Sequence, residues 1–264
     1  MSDPEDSIAP PGLSAFVNKI RARTPARLLA GRAGSSYRTE TQIALRQAHA
    51  AARDAVQAEM DLAAAFGDSF IRQWQPLECR TQASSKREYL LRPDLGRHFD
   101  EASRNAIQQC CPRGADLQIA IGDGLSVPAV SAQVPTLLPL LQGGATARGL
   151  RLGRLLVIHR CRVAILNDIG ELLSPRVVLV LIGERPGLAT AESLSAYMAF
   201  QPTKHHTDAD RNLISNIHNR GVQPPQAAAR ILNLAARMVQ AQSSGYRLRE
   251  ELPTLAPNHH NLSP

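Results

Sequence analysis

The sequence is poor in aromatic residues and in cysteine. Aromatic side chains make up 4% of the 264 residues, whereas hydrophobic residues make up 44%, so we expect a large core built from aliphatic side chains. The four cysteines, Cys79, Cys110, Cys111 and Cys161, form no C-x-x-C pair, which argues against a structural zinc site. Adjacent Cys110 and Cys111 are poor disulfide partners, and the composition therefore predicts reduced thiols.

Long apolar runs and a signal peptide are also missing. No apolar run approaches the roughly 20 residues that a transmembrane helix needs. The first six residues, Met-Ser-Asp-Pro-Glu-Asp, are acidic and lack the basic and apolar regions of a secretory signal. We therefore expect a cytoplasmic chain that does not contact a membrane.

Several motifs of common enzyme classes are absent. There is no P-loop, no H-E-x-x-H and no nucleophile elbow. Gly122 and Gly124 begin a dinucleotide-binding glycine pattern, but Val127 occupies the position of its third glycine. Two histidines and two aspartates within residues 205–210 have the side chains of a metal site, but their spacing favours a solvated polar turn. We therefore predict no metal site and no catalytic residue of these classes.

The formal net charge of +7 leaves several kinds of partner open. Basic residues are spread along the chain, often beside acidic ones, and they do not alternate with aromatic residues as in a stacking surface for single strands. We therefore expect no nucleic-acid partner. A basic chain also suits an acidic protein partner or a phosphate-bearing cofactor.

The sequence divides into four parts by composition and periodicity. We predict a flexible tail over residues 1–13, a mostly helical region over 14–112, an α/β domain over 113–250 and a loose tail over 251–264. In the helical region, apolar residues recur at helical spacing over 39–66 and predict one long helix that ends at Gly67. The chain length permits one large domain or two modest ones.

Strands and helices alternate through most of the second half. This order indicates a Rossmann-like, doubly wound, mostly parallel sheet. Further predicted helices lie at 94–111, 126–141 and 224–242, and a helical turn is predicted at 168–173. Predicted strands lie at 89–92, 116–121, 153–160, 162–165 and 177–182.

The strand at 177–182 is the most informative element. Its six branched aliphatic residues are typical of a strand buried on both faces, and the polar residues Glu184 and Arg185 follow directly. Ligands bind past the carboxyl ends of strands in open α/β sheets, so we expect the loops 123–126, 159–163 and 183–188 to cluster at one edge. A flat ligand with amide groups and a phosphate suits that edge. Glu184 and Arg185 form either a binding fork or a local salt bridge that shapes the turn.

Seven short motifs occur in a fixed order along the chain. They are GRAG at 31–34, RPDLGR at 92–97, DGLS at 123–126, LIGERPGL at 181–188, ESLS at 192–195, DRN at 210–212 and ISNIH at 214–218. Together they resemble the small subunit, or light chain, of ethanolamine ammonia-lyase. The resemblance extends from about Thr24 to about Gly245.

The resemblance implies a function for the whole chain and a role for three residues. It implies that adenosylcobalamin lies between this chain and a large subunit, which holds ethanolamine and carries out its conversion to acetaldehyde and ammonia. By motif match, the cofactor contacts fall on Val163, Glu184 and Leu213, and the 113–250 domain is the part that contacts cobalamin. Leu213 departs from the family pattern, in which a cysteine is usual. Members of the family are often packed in a bacterial microcompartment.

Each of these residues also has a structural explanation. Val163 and Leu213 have side chains that suit a core, and Glu184 can simply stabilise its turn. An alternative function is a stand-alone nucleotide- or cobalamin-binding module without a lyase partner. A helix over 39–66 that buries an apolar face against a second chain would favour the subunit, whereas a helix solvated outside its own core face would favour the stand-alone module.

Overall fold

The computed structural model describes residues 13–23, 28 and 30–250. The predicted N-terminal tail, apart from Leu13, and the predicted C-terminal tail lie outside these residues. The helices and strands in chain order are α1 (Leu13–Ala22), β1 (Arg32–Ala33), β2 (Ser36–Tyr37), α2 (Thr39–Gln57), α3 (Leu62–Trp74), β3 (Leu77–Arg80), α4 (Lys86–Leu91), α5 (Glu101–Cys110), β4 (Leu117–Gly122), α6 (Val127–Thr146), β5 (Leu156–His159), α7 (Ile165–Leu173), β6 (Val177–Gly183), β7 (Leu194–Phe200), β8 (Asn212–Ile217) and α8 (Pro224–Ala241).

A six-stranded, mostly parallel sheet forms the centre of the molecule. Its strands lie in the order β3-β5-β4-β6-β7-β8, and the first four run parallel to one another. The sequence predicted β4, β5 and β6. It did not predict β3, nor the antiparallel strands β7 and β8 that extend the sheet beyond β6. The fold is therefore mixed α/β with a mostly parallel sheet, as predicted.

Strand β6 explains how the sheet divides the core. All seven of its residues are buried, because successive side chains point to opposite faces and both faces are covered. Val177, Leu179 and Leu181 join one apolar cluster, to which α3, α6 and α8 contribute. Val178, Val180 and Ile182 join a second cluster with side chains from α5 and α7. The sheet thus has helices on both faces.

The predicted single helix over 39–66 is wrong. Helix α2 ends at Gln57, and α3 begins at Leu62 after Asp61, whose carboxylate accepts a hydrogen bond from the Ala64 N–H at 2.9 Å. This N-cap stabilises a new helix start that apolar spacing cannot reveal. Gly67 interrupts α3 with a φ of +75° instead of ending it, since the helix continues to Trp74.

Two predicted strands are also wrong. Residues 89–92 belong largely to α4, which Ser85 caps by accepting a hydrogen bond from the Glu88 N–H. Residues 162–165 form a turn that leads into α7. The helix predicted to open at residue 94 begins at Glu101 instead, after the N-cap Asp100. Side-chain capping therefore decides local structure at several places where the apolar pattern is short.

The longer helices of the second half agree better with the sequence. Ser126 caps α6, close to the predicted helix start, by accepting a hydrogen bond from the Ala129 N–H at 3.3 Å. Helix α6 continues through Gly143 and Gly144 to Thr146. The absence of a side chain at Gly144 lets helix α8 pack closely, since a Cβ there would lie 2.3 Å from Leu232. Within the described part of the chain, no helix has both the length and the apolar character that crossing a membrane requires.

The cysteines are all free thiols, as the composition predicted. Cys79, Cys111 and Cys161 are buried, whereas Cys110 at the end of α5 is exposed. Cys79 and Cys161 belong to the cluster on the α7 side of the sheet. They therefore serve as small apolar core residues.

Candidate functional site

The loops after β4, β5 and β6 meet at the carboxyl edge of the sheet and enclose a cavity of about 420 Å³. We call this cavity the edge site. Its walls come from these three loops, from β7 and β8, and from α4. The lining residues are Tyr89, Gly124, Leu125, Cys161, Arg162, Val163, Ile182, Gly183, Glu184, Arg185, Ser195, Tyr197, Leu213 and Ser215.

The topology of the sheet accounts for the position of the cavity. The loop after β4 leads to α6 on one face, whereas the loop after the neighbouring strand β5 leads to α7 on the opposite face. Two adjacent loops that diverge in this way leave a crevice at the carboxyl ends of their strands, which is where open α/β sheets bind ligands.

All three residues named from the resemblance line the edge site. Val163 is half-buried in the turn before α7, and Glu184 is half-buried directly after β6. Leu213 lies on β8 and is 45% exposed, so it is not a core residue. The fold thus brings together three side chains that lie up to 50 residues apart in the sequence.

Neighbouring polar groups hold the Glu184 carboxylate in place. Its Oε2 atom accepts a hydrogen bond from Ser193 Oγ at 2.7 Å. Its Oε1 atom accepts one from Ser195 Oγ at 2.5 Å and one from the Asn216 N–H at 3.0 Å. A carboxylate can accept about four hydrogen bonds, so this arrangement fixes the side chain and leaves acceptor capacity for a ligand.

One of the two alternatives for Glu184 and Arg185 is excluded. Arg185 is exposed and forms no ion pair with Glu184 or with any other carboxylate among the described residues, so the local salt bridge is not formed. Ser193 directly precedes strand β7. Because alternate residues of a strand share a face, Ser193 and Ser195 approach the same carboxylate.

Asp123 ties the loops after β4 and β5 together. Its buried carboxylate accepts hydrogen bonds from the backbone N–H groups of Arg160 and Cys161, both at 2.8 Å. Burial raises the pKa of Asp123, although the charge of Lys86 and the two N–H groups oppose this shift. This buried acid fixes the loop that carries Val163.

Tyr89 closes the floor of the site between the same two loops. Its buried hydroxyl lies 2.9 Å from the Gly124 carbonyl oxygen and 2.8 Å from that of Cys161, so one proton is shared between two acceptors. Burial raises the pKa of the Tyr89 phenol, so the hydroxyl keeps its proton and remains a hydrogen-bond donor. The sequence did not identify Tyr89 as a site residue, because it assigned residues 89–92 to a strand.

Glycines let the loops after β4 and β6 touch through their backbones. Gly124 has a φ of +57°, and a Cβ there would lie 2.3 Å from the Gly183 carbonyl oxygen. A Cβ on Gly183 would lie 2.0 Å from the Ser126 carbonyl oxygen. These close approaches explain why both the DGLS and the GERPGL motifs contain glycine.

Comparison with protein families places this site in a known context. The family model for the ethanolamine ammonia-lyase light chain (EutC) matches residues 14–249, which is most of the chain. The chain belongs to the ethanolamine ammonia-lyase light chain family. The edge site is therefore a feature of a light chain, and the resemblance seen in the motifs is confirmed.

Curated relatives of this light chain carry the same description. Ethanolamine ammonia-lyase small subunit of Clostridium perfringens is 39% identical over 231 residues, which cover 88% of this chain and 76% of the relative. The Bradyrhizobium diazoefficiens small subunit is 41% identical over 242 residues, covering 90% of this chain and 92% of the relative. The small subunit of Clostridium acetobutylicum is 37% identical, covering 88% and 94%.

The histidine-rich segment of the light chain forms a turn, as predicted. Residues 208–210 form a 3₁₀ turn in which the Asp210 carboxylate accepts hydrogen bonds from the N–H and the hydroxyl of Thr207. His206 Nδ1 accepts a hydrogen bond from the Thr203 N–H at 3.1 Å. These contacts account for the local structure of the segment without a ligand.

Proposed function

We propose that this chain is the small subunit of an adenosylcobalamin-dependent ethanolamine ammonia-lyase and that it holds the cofactor against a catalytic large subunit. The complex converts ethanolamine to acetaldehyde and ammonia. One observation carries the proposal: Val163, Glu184 and Leu213 meet at one cavity at the carboxyl edge of the sheet. The family match and the names of the relatives support it.

The residues at the edge site fit a corrinoid. An exposed leucine, a half-buried valine and the backbone of two glycine-containing loops offer apolar and close contact for a flat ring. Glu184 offers a fixed carboxylate with remaining acceptor capacity, which suits the amide groups at the rim of a corrin. We interpret the surrounding sheet as a Rossmann-like, doubly wound domain.

The chain would position and shield the cofactor and would take no part as an acid or a base. When bound, adenosylcobalamin supplies the radical chemistry. Val163 and Leu213 would cover apolar surface and exclude water, and Glu184 would orient the ring by accepting hydrogen bonds. Leu213 has no thiol, so its contribution is apolar contact.

The N-terminal region supports a large-subunit partner. Residues 13–57 contain eight basic and two acidic residues and thus carry most of the net positive charge. Phe16 on α1 is 59% exposed and Ile43 on α2 is 51% exposed, and of the α2 residues only Ala55 is fully buried. Exposed apolar side chains among basic ones suit a docking surface for an acidic partner.

The alternative is a stand-alone cobalamin- or nucleotide-binding module. It predicts that the chain binds a corrinoid alone and does not copurify with the large subunit. Location in the cytoplasm, or inside a protein-shelled compartment, stays a prediction.

Co-expression with the large subunit tests the proposal. We expect the two chains to copurify and to bind adenosylcobalamin with its characteristic absorbance. Glu184→Ala should raise the dissociation constant of the cofactor about tenfold, because a hydrogen bond to a charged group is lost. Binding is measured by absorbance titration, and thermal unfolding checks that the fold is intact.

Glu192→Ala is the matched control for this titration, because Glu192 is an exposed acid near the same loop and does not line the edge site. An unchanged affinity in the Glu184 variant would rule out a binding role for that side chain. Failure of the two chains to copurify would favour the stand-alone module.

A further inference from the structure

Arg160 lies outside the edge site but in the same loop as Val163, directly after β5. Its φ is +57°, in the left-handed region that residues other than glycine rarely adopt. Such a conformation persists only where the surrounding structure holds it. The contacts that hold Arg160 therefore also fix the loop that carries Val163.

The main chain of Arg160 is held at both its N–H and its carbonyl group. The N–H donates to the buried Asp123 carboxylate at 2.8 Å, and the carbonyl oxygen accepts a hydrogen bond from Thr81 Oγ1 at 3.0 Å. A Cβ on Gly96 would lie 2.8 Å from the same carbonyl oxygen, so the main chain at Gly96 packs directly against it. The loop therefore cannot move at Arg160 without disturbing Asp123, which joins the loops after β4 and β5.

The side chain of Arg160 lines a different cavity, of about 500 Å³, which shares no lining residue with the edge site. The side chain is 13% exposed and donates from Nη2 to Glu59 Oε2 at 3.1 Å and from Nη1 to the Ala83 carbonyl oxygen at 3.2 Å. Its Nε atom is buried and has no hydrogen-bond partner. The guanidinium therefore depends on these two contacts to stay in place.

Glu59 lies in the linker 58–61 between α2 and α3. The next residue, Met60, is buried in the apolar cluster on the α3 side of the sheet, and Asp61 caps α3. The linker is therefore where the basic segment 13–57 joins the rest of the fold. The Glu59 side chain is 55% exposed, and among the described residues its carboxylate pairs with Arg160 alone. A displacement of the basic segment thus acts on the loop after β5 through this ion pair.

A buried lysine connects the same charges electrostatically. Lys86, at the start of α4, is buried, and its ammonium group has no hydrogen-bond partner. Burial lowers the pKa of Lys86, whereas the charges of Asp123 and Glu59 raise it and those of Arg160 and Arg162 lower it. Loss of the Glu59 charge would leave these cations facing Asp123 alone. Glu59 therefore influences the field at the loop as well as the position of the guanidinium.

We propose that Arg160 is a positioning residue that couples docking of the basic segment on the large subunit to the placement of the loop after β5. The inference rests on the proposed function, which supplies the large subunit and the cofactor. The large subunit holds the segment 13–57, the linker holds Glu59, and Glu59 holds the guanidinium of Arg160. The main chain of Arg160 in turn holds Asp123 and the loop with Val163. By linkage, the large subunit and the cofactor strengthen each other's binding through this route.

A double-mutant cycle on the complex with the large subunit tests this coupling. The variants are Glu59→Gln, Arg160→Asn and the two combined. Asparagine tolerates the left-handed conformation, so Arg160→Asn removes the guanidinium and keeps the turn. Arg160→Lys keeps a cation opposite Glu59. The control is Asp68→Asn, which removes one negative charge at an exposed position of α3 outside both cavities.

Absorbance titration gives the dissociation constant of adenosylcobalamin, and amide hydrogen exchange reports the mobility of residues 160–163, with β6 as the internal reference. Glu59→Gln, Arg160→Asn and the double variant should each raise the dissociation constant about fivefold, because all three break the same coupling. They should speed exchange in the loop and leave that of β6 unchanged. Arg160→Lys and Asp68→Asn should stay within about twofold of wild type in both measurements.

The outcomes distinguish this inference from the proposed function. If the wild-type complex does not bind adenosylcobalamin, the proposed function fails and the inference falls with it. If the wild type binds the cofactor and Glu59→Gln binds it equally well with unchanged loop exchange, only the inference is wrong. Effects of the two single variants that multiply in the double variant would also overturn it, because the residues would then act independently. Exchange that rises in β6 as much as in the loop would show a merely structural role and overturn it as well.

Discussion

Glu184 shows how a single residue depends on an element that the sequence does not reveal. The GERPGL motif identifies the residue, but its carboxylate is held by Ser193 just before β7, by Ser195 on β7 and by Asn216 near the end of β8. The antiparallel pairing of β6 with β7 places Ser195 opposite Ile182, two residues before Glu184. The motif therefore names Glu184 as a candidate binding residue, whereas the orientation of its carboxylate required the structure.

Gly124 permits a residue-scale test of the contact between loops. Gly124→Ala should destabilise the protein by about 1 to 3 kcal/mol, because φ is +57° and the new Cβ would meet the Gly183 carbonyl oxygen. The free energy of unfolding is measured by urea denaturation.

Gly187→Ala provides the control for this substitution. A Cβ at Gly187 would meet no heavy atom within 4 Å, so stability should change by less than about 0.5 kcal/mol. Equal stabilities of the two variants would show that the close approach at Gly124 is not a constraint.

At the scale of secondary-structure elements, the sequence predicted the strands and helices that have a long apolar pattern. Strand β6 and helix α8 were found because burial on both faces or along one face leaves a continuous pattern. Strands β7 and β8 were missed, since the predicted alternation of strands and helices gave no place for an antiparallel pair. The break between α2 and α3 was missed because one capping aspartate decides it.

The edge site was predictable in part: the sequence identified its loops but not all of its side chains. Loops that follow parallel strands must lie at one edge of a sheet, and this rule placed the loops at 123, 159 and 183 together. Tyr89 could not be found in this way, because its role depends on α4, which approaches from another part of the chain. Packing between distant segments is the part that pattern analysis cannot supply.

Asp116, just before β4, gives a prediction for pH dependence. Its carboxylate accepts a hydrogen bond from the Arg151 N–H and pairs with the side chains of Arg151 and Arg176. The backbone hydrogen bond from Arg151 is the main cause that lowers the pKa of Asp116 from 3.8. Its contribution to stability is therefore complete above the unfolded pKa and is lost as pH falls through the lower folded pKa.

Asp116→Asn should flatten the acid limb of the stability profile. Unfolding free energies are compared between pH 6 and pH 3, with Asp68→Asn as a control at an exposed position of α3. Identical acid limbs in wild type and the Asp116 variant would show that this ion pair does not couple stability to pH.

For the whole molecule, uneven charge and exposed apolar residues point to assembly. The basic segment 13–57 holds Phe16, Tyr37 and Ile43 at the surface, where an unpartnered chain would expose them to water. We expect the purified chain alone to show no lyase turnover and to aggregate at concentrations where the complex stays dispersed. Light scattering and an acetaldehyde assay measure both properties. Substantial turnover by the isolated chain would contradict the proposed division of labour between the subunits.

The position of strand β3 limits where the chain can be truncated. It comes from the N-terminal region, yet it pairs with β5 and closes one side of the sheet. A fragment that starts at residue 113 would leave the main-chain donors and acceptors of β5 open along that side. Such an edge recruits strands from other copies, so the fragment would form fibrils or swapped dimers instead of an autonomous cobalamin binder.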